Sequence, residues 1–159
     1  MTRGDHNFQF IRKGFSLLEL VLVVVILSVL AAIAMPRYVD SMNFYRADLA
    51  AKRIAVDLAM ARDNAWASGV RRVVTFDLAT NQYQLPGIRS LERTTDEYVV
   101  SLSETPYHAT IVSADFQGQR SVTFDAYGLP DRGGQVVIRA GSFQKTIVLD
   151  QNTGNAKVQ

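Results

Sequence analysis

Cysteine is absent from this sequence of 159 residues, and histidine occurs only twice, as His6 and His108. The absence of cysteine excludes a disulfide framework, a thiolate zinc site and a cysteine nucleophile. No catalytic motif surrounds His108, and Pro106 keeps Glu104 and His108 from sharing a helical face. The sequence also lacks a glycine-rich phosphate loop. We therefore predict neither an enzyme nor a bound cofactor.

The sequence also has little net charge. The chain carries 17 lysines and arginines against 15 aspartates and glutamates, which gives a formal net charge of +2. Residues 1–14 account for that excess, because the remainder carries 14 basic and 14 acidic side chains. A broad cationic surface for nucleic acid is therefore not expected. A local patch for DNA phosphates stays open as an alternative, through Arg71, Arg72, Arg89 and Arg93.

One long apolar run lies near the N-terminus. It extends from Phe15 to Met35, 21 residues with a single ionisable side chain, Glu19. A helix of this length spans about 31 Å, which matches the roughly 30 Å hydrocarbon core of a bilayer. Arg12 and Lys13 precede the run, and by the positive-inside rule they hold the short N-terminal side in the cytoplasm. We therefore predict one membrane-spanning helix, with the remainder of the chain on the outer side.

Two ordinary alternatives compete with that interpretation. The first is a secretory signal peptide, since Ala32-Ile33-Ala34 resembles a small-x-small cleavage site. The run is longer than the usual apolar region of about 7–15 residues, and a disposable signal needs no internal carboxylate. The second alternative is a plain single-span anchor.

Glu19 is the residue that a plain anchor does not explain. A charged side chain at mid-bilayer costs about 2.5–3.5 kcal/mol on insertion scales. Glu19 lies near the cytoplasmic end of the run, so snorkelling, protonation or simple tolerance at the interface would lower that cost. The run itself contains no cation. A cation supplied by another chain would satisfy the carboxylate.

Residues 12–20, RKGFSLLEL, resemble the prepilin processing motif of type IV pilin-like proteins. The resemblance implies that Gly14 precedes the cut and that Phe15 becomes the new N-terminus, which the prepilin peptidase also methylates. It implies that Glu19 pairs with the N-terminal amine of a neighbouring subunit during assembly, an attraction that is strong at low dielectric. Pro36 stands 22nd from the cut, where pilin-like proteins commonly carry a proline, and it permits a helix kink.

After Pro36 the pattern becomes that of an amphipathic helix. Apolar residues recur at spacings of 3 and 4, and we predict one helix from about Phe15 to Ser68, bent near Pro36 and stopped by Gly69. We expect Met60 and Trp66 to be packing residues. The predicted stripe against the head comprises Ala47, Ala51, Ile54, Leu58, Ala61 and Ala65. The pairs Asp48–Lys52 and Arg53–Asp57 are expected on the exposed side.

From residue 71 onward, short alternating segments between turn residues predict strands. The expected strands are 73–76, 82–85, 98–103, 109–113, 121–125, 135–139 and 145–149, with an edge strand at 156–158 and an exposed loop at 87–97. Local return by hairpins predicts an antiparallel sheet, one face of which packs on the helix. The fold class is therefore α+β, a pilin-like long helix on a small antiparallel head. The predicted divisions are a cleaved leader (1–14), a transmembrane or filament-core helix (15–36), an amphipathic helix (37–69) and a β-rich head (70–159).

The head is similar to the GspH/FimT class of minor pseudopilins. The similarity lies in residues 51–69, AKRIAVDLAMARDNAWASG, in the VTFD strand at 74–77 and in VTFDAYGLP at 122–130. It implies a minor structural subunit of a type II secretion pseudopilus or a type IV pilus. The implied partners are the prepilin peptidase, other pilin or pseudopilin subunits, an inner-membrane assembly platform and, before assembly, membrane lipid. The implied location is the bacterial inner membrane with a periplasmic head, and afterwards the filament.

Two further possibilities concern the head. It could instead be a pilus-associated binding module that captures DNA or a secreted substrate, although the neutral mature charge disfavours DNA. Some pilin relatives bind calcium, and Asp125, Asp131 and Asp150 would provide carboxylates if loops brought them together. Their spacing is not that of an EF-hand, so a calcium site is not the favoured interpretation.

Overall fold

The structure is a computed structural model that describes residues 14–88 and 98–159. The chain divides into two compact units, Met1–Tyr38 and Val39–Gln159. Because the described residues begin at Gly14, the rest of the predicted leader, 1–14, lies outside them. Most of the predicted loop at 87–97 lies outside them too.

A single helix, α1, extends from Leu17 to Ser68. It begins two residues later than expected and continues through Pro36 without an interruption of helical backbone. The kink at Pro36 stays a prediction. The helix stops where expected, because Gly69 has a φ of +66°, the left-handed conformation that favours glycine after a helix.

Eight strands follow the helix, one for each predicted segment. They are β1 Arg72–Asp77, β2 Gln82–Leu85, β3 Tyr98–Ser101, β4 Thr110–Asp115, β5 Ser121–Phe124, β6 Gly134–Ala140, β7 Phe143–Leu149 and β8 Ala156–Val158. All of the pairings are antiparallel, as predicted. The strands alternate between buried and less buried positions, which is the pattern of a sheet with one face on the core.

The expectation of one sheet is wrong, because the strands form two sheets of four. The first has the order β3-β2-β1-β5 and the second β4-β6-β7-β8. The difference arises at β5, which pairs with β1 across the Arg72↔Phe124 and Thr75↔Ser121 registers instead of joining β6. Local hairpin signals do not reveal this arrangement, because β4 and β6 pair with each other although β5 lies between them in the sequence.

The core joins the helix to both sheets. Every member of the predicted helical stripe, from Ala47 to Ala65, is at most 1% exposed. Aromatic rings link the sheets, since Phe76 of β1 stacks on Phe116, just after β4, with ring centroids 5.7 Å apart. Alanines on the stripe let the helix backbone approach the sheets closely, so the helix packs on the sheets through small side chains.

A polar cluster lies inside this helix–sheet contact and corrects one prediction. Asp57 is only 2% exposed, although the Arg53–Asp57 pair was expected on the exposed side. Its carboxylate accepts hydrogen bonds from the Tyr83 hydroxyl at 2.5 Å, the Tyr98 hydroxyl at 2.9 Å and Arg53 Nε at 3.1 Å. Asp57 therefore ties α1 to β2 and β3. The Asp48–Lys52 pair does lie at the surface, with Lys52 Nζ 2.8 Å from the carboxylate.

The expected role of Trp66 is also wrong. Its side chain is 70% exposed, although Trp66 directly follows buried Ala65 and its Cβ lies close to Gly128. Met60 is partly buried and packs against the core, as predicted.

Burial and the neighbouring Asp57 carboxylate raise the pKa of Tyr98 to about 12, and they raise the pKa of Tyr83 well above its usual 10.0. Both shifts favour the neutral hydroxyl, which is the form that donates a hydrogen bond to Asp57.

We expect Asp57→Ala to lower the free energy of unfolding by about 2–4 kcal/mol, because it leaves the buried Tyr83 hydroxyl and the Arg53 guanidinium without their shared acceptor. Urea unfolding of the detergent-solubilised chain, followed by circular dichroism, measures the change. Asp48→Ala is the matched control, and its effect should stay within about 1 kcal/mol since the pair is at the surface. Equal losses in the two variants would contradict the clamping role of Asp57.

We also expect the head to lose stability in alkali through these tyrosines. A pKa that is higher in the folded chain means that the unfolded chain ionises first, so this contribution is complete below about pH 10 and is lost as pH rises through about 12. Tyrosinate absorbance of the folded chain, compared with that of Tyr83→Phe and Tyr98→Phe, isolates the two groups. Ionisation of Tyr83 at the ordinary tyrosine pKa would rule out this source of pH dependence.

Candidate functional site

The N-terminal part of α1 presents an apolar surface on all sides. The large apolar side chains between Phe15 and Met35 are 42–80% exposed. An 18-residue window of the helix has a mean hydropathy of 3.0, so the helix is long and apolar enough to cross a membrane. A helix that is apolar all round needs lipid or protein around it, because exposure of that much apolar surface to water is unfavourable.

Glu19 lies in the first turn of this helix and is exposed. No basic side chain in residues 14–88 or 98–159 forms an ion pair with it, and the nearest basic residue along the described helix is Arg37. Gly14 and Phe15 immediately precede the helix, and Phe15 is 79% exposed. The predicted processing residues Gly14 and Phe15 and the predicted assembly residue Glu19 thus lie within six positions at one end of an unburied apolar helix.

The aspartates considered as calcium ligands accept hydrogen bonds or form ion pairs with nearby residues of the head. One carboxylate oxygen of Asp125 accepts from the backbone N–H groups of Tyr127 and Leu129, and Asp131 accepts from Thr123 N–H and pairs with Arg132. Hydrogen bonds from the Thr153 and Asn152 backbone and the Thr153 hydroxyl lower the pKa of Asp150. Within the described ranges no three histidine, aspartate or glutamate side chains are grouped as metal ligands.

The arginines considered for phosphate are not brought together by the described part of the head. Arg72 Nε donates to the Asn64 side chain at 2.6 Å, which directs it toward the end of α1. Arg89 and Arg93 lie outside the described residues. His108 Nε2 lies 3.2 Å from the Thr105 hydroxyl in an exposed turn.

Sequence reasoning missed the burial of Asp57. Its i, i+4 spacing from Arg53 matches that of a surface pair, and nothing local distinguishes the two. One signal was present: Asp57 directly precedes Leu58 of the buried stripe, which places it at the edge of the apolar face.

Comparison with known families finds two matches, one in the head and one at the N-terminus. The family described as type II transport protein GspH matches residues 50–153. The prokaryotic N-terminal methylation motif matches residues 11–35. No curated protein sequence matches the chain closely enough to count as a relative.

Three solved structures have a similar fold. Two structures of the minor pseudopilin EpsH from the type II secretion system of Vibrio cholerae align with TM-scores of 0.54 and 0.55, at 12% and 11% identity. They cover 72% of this chain, and 96% and 94% of their own. The type IV minor pilin FimU of Pseudomonas aeruginosa aligns with a TM-score of 0.51 at 14% identity, covering 71% of this chain and 87% of that one.

These similarities confirm the predicted pilin-like fold. The methylation motif implies prepilin processing, and with the apolar helix it indicates anchoring in the inner membrane. The family match extends over most of the head. The chain belongs to the family of type II transport protein GspH and carries the N-terminal methylation motif of pilin-like proteins.

Proposed function

We propose that this protein is a minor structural subunit of a type II secretion pseudopilus or a type IV pilus. The observation that carries the proposal is a GspH-family head on a helix whose N-terminal half is apolar and unburied, with Glu19 as the one ionisable side chain from Leu17 to Met35. The prepilin peptidase cleaves after Gly14 and methylates Phe15. Before assembly the helix spans the inner membrane with the head in the periplasm, a topology supported by Arg12 and Lys13.

Assembly then exchanges lipid for protein around the apolar helix. Lipid tails and apolar side chains are similar surroundings, so this exchange has little hydrophobic driving force of its own. A polar contact is needed to favour the docked position. The Glu19 carboxylate provides one by pairing with the N-terminal amine of a neighbour's Phe15, which forms only after cleavage.

The binding-module alternative has less support. The described head presents no assembled cluster of arginines, and Arg72 is engaged with Asn64. Capture of DNA or a secreted substrate therefore stays a secondary hypothesis, without a described site to carry it.

We expect Glu19→Ala to yield a protein that is cleaved, methylated and membrane-bound but that enters filaments about tenfold less or worse, because the docked helix loses its ion pair in a low-dielectric setting. Sheared filaments and membranes probed by immunoblotting give the two populations. Ser28→Ala, a change on the same helix that removes only a hydroxyl bonded to the Val24 carbonyl, is the control. Normal incorporation of the Glu19 variant would exclude the proposed role.

We expect Gly14→Val to block cleavage, because the peptidase must accept the residue before the cut and glycine is the smallest. The variant leaves the described fold intact, since a Cβ at Gly14 meets nothing within 4 Å. Mass spectrometry of the membrane form distinguishes an uncut chain from a product that begins with N-methylated Phe15. The same methylated product from the valine variant would show that cleavage does not need glycine at this position, which would contradict the prediction.

A further inference from the structure

A small hollow with aromatic walls lies where the head part of α1 meets the turn between β6 and β7. Its volume is about 270 Å³, and this aromatic hollow is lined by Asp40, Ser41, Phe44, Tyr45 and Phe143. The Phe44 ring packs edge-to-face on Tyr45 and on Phe143, with ring centroids 5.9 and 5.7 Å apart. Gly141 lets the turn approach the helix this closely, because a Cβ there would meet the Asn43 side chain.

The rings of the aromatic hollow are only partly covered by the head. Tyr45 is 67% exposed and Phe44 is 42% exposed, while Phe143 is partly buried against the core. Isolated exposed apolar side chains are common, but three rings that pack on one another form a contiguous patch, which is typical of a binding surface. Since their mutual packing already holds the rings in place, a ligand would cost little additional ordering.

One cation and one carboxylate accompany the Phe44 ring. Lys145 Nζ lies over its face, 5.3 Å from the centroid, and Asp40 lines the aromatic hollow from α1. In residues 14–88 and 98–159 neither Lys145 nor Asp40 forms an ion pair. Arg46 is directed elsewhere, since its guanidinium donates to the Asn43 side chain at 3.4 Å. Two such charges beside exposed rings favour a ligand that carries an anion and a cation close together.

The sequence places the aromatic hollow beside the predicted membrane span. Asp40 follows Met35, the last residue of the apolar run, by five residues. A chain reaches at most about 3.5 Å per residue, so Asp40 lies within about 18 Å of the end of the run in any arrangement of the two units. The polar layer of a bilayer adds roughly 5–8 Å on each side of the hydrocarbon core, and tyrosine is enriched at that level. The tether therefore allows the aromatic hollow to reach lipid headgroups.

We propose that, before assembly, the aromatic hollow binds the headgroup of a zwitterionic phospholipid at the outer face of the membrane. This inference rests on the membrane-anchored stage of the proposed function. Lys145 pairs with the phosphate, and Asp40 together with the Tyr45 ring holds the ammonium group, which is attracted to a carboxylate and to an aromatic face. The head is thus held against the bilayer surface by a contact that is separate from the membrane-spanning helix.

Fluorescence quenching of the full-length chain in vesicles tests the contact. The parent chain contains one tryptophan, Trp66, which lies 21 residues along α1 from Tyr45, about 32 Å away. The double variant Phe143→Trp, Trp66→Phe moves that reporter into the aromatic hollow. In phosphatidylethanolamine vesicles with a minor fraction of phosphatidylglycerol and nitroxide-labelled headgroups, quenching at position 143 should exceed quenching of Trp66 several-fold. Equal quenching at the two positions would overturn the proposal.

Charge variants separate binding of a headgroup from mere proximity through the tether. In the reporter at position 143, Lys145→Glu should reduce quenching several-fold, because it replaces the phosphate-binding cation with an anion. Lys157→Glu makes the same charge change on β8, at an exposed position, and should have no effect. Circular dichroism melting checks that both variants keep the parent fold. Unchanged quenching in Lys145→Glu would show that the tether alone brings the head to the bilayer, which would contradict the proposed site.

A second pair of variants tests recognition of the ammonium group. Asp40→Asn should lower quenching in phosphatidylethanolamine to the weaker level found when phosphatidylglycerol replaces it entirely. Asp48→Asn is the matched control on the same helix, because Asp48 pairs with Lys52 at the surface. The same preference for phosphatidylethanolamine in parent reporter and Asp40→Asn would exclude Asp40 from the site.

Flotation of the vesicles distinguishes failure of this inference from failure of the proposed function. A chain that does not float with the vesicles would refute the membrane-anchored stage, and the inference with it. Flotation with equally weak quenching at position 143 and at Trp66 would refute the aromatic hollow as a lipid site and leave the proposed function standing. That outcome is the one expected if another protein covers the aromatic hollow.

Discussion

The structure depends on one constraint, which is that α1 carries more apolar surface than its own head covers. The head covers the stripe from Ala47 to Ala65, whereas the large apolar side chains between Phe15 and Met35 remain exposed. Exposure of such a surface to water is strongly unfavourable, so the N-terminal segment requires a second environment. In the proposed function, the membrane and the filament are the two surroundings that cover this apolar surface.

Within the head, small side chains and one buried acid solve different problems. The alanines of the buried stripe allow close approach of the helix to two sheets, but they offer little shape for fixing one position along the helix. Asp57 provides that position, because its carboxylate accepts hydroxyl hydrogen bonds from Tyr83 on β2 and Tyr98 on β3. A buried carboxylate is tolerated here because all three of its partners are donors with good geometry. The hydrogen bonds of Asp57 thus fix the position of the helix along the sheets, which apolar packing alone leaves loosely defined.

Periodicity in the sequence predicted most of the architecture and could not predict its polar interior. The helix, its stop at Gly69, the buried stripe and eight strands were recoverable, since each rests on local spacing. The division into two sheets was not, because β5 leaves its sequence neighbours to pair with β1. The predicted burial of Asp57 and Trp66 was wrong for a related reason, since Asp57 is buried and Trp66 is exposed. Spacing assigns residues to a face, but only tertiary packing decides how wide the buried face is. The roles of Gly14, Phe15 and Glu19 stay predictions, and they rest on one contiguous motif within the matched residues 11–35.

In the proposed function, the charge of Glu19 favours one docked position of the helix. Exchange of lipid for neighbouring helices changes apolar surroundings for apolar surroundings, so it discriminates poorly between docked positions or between neighbours. Glu19 in the N-terminal segment is a charge that lipid satisfies badly and a matched protein surface satisfies well. In the proposed assembly, apolar surface makes association possible, and the charge of Glu19 selects the axial position of the neighbouring subunit.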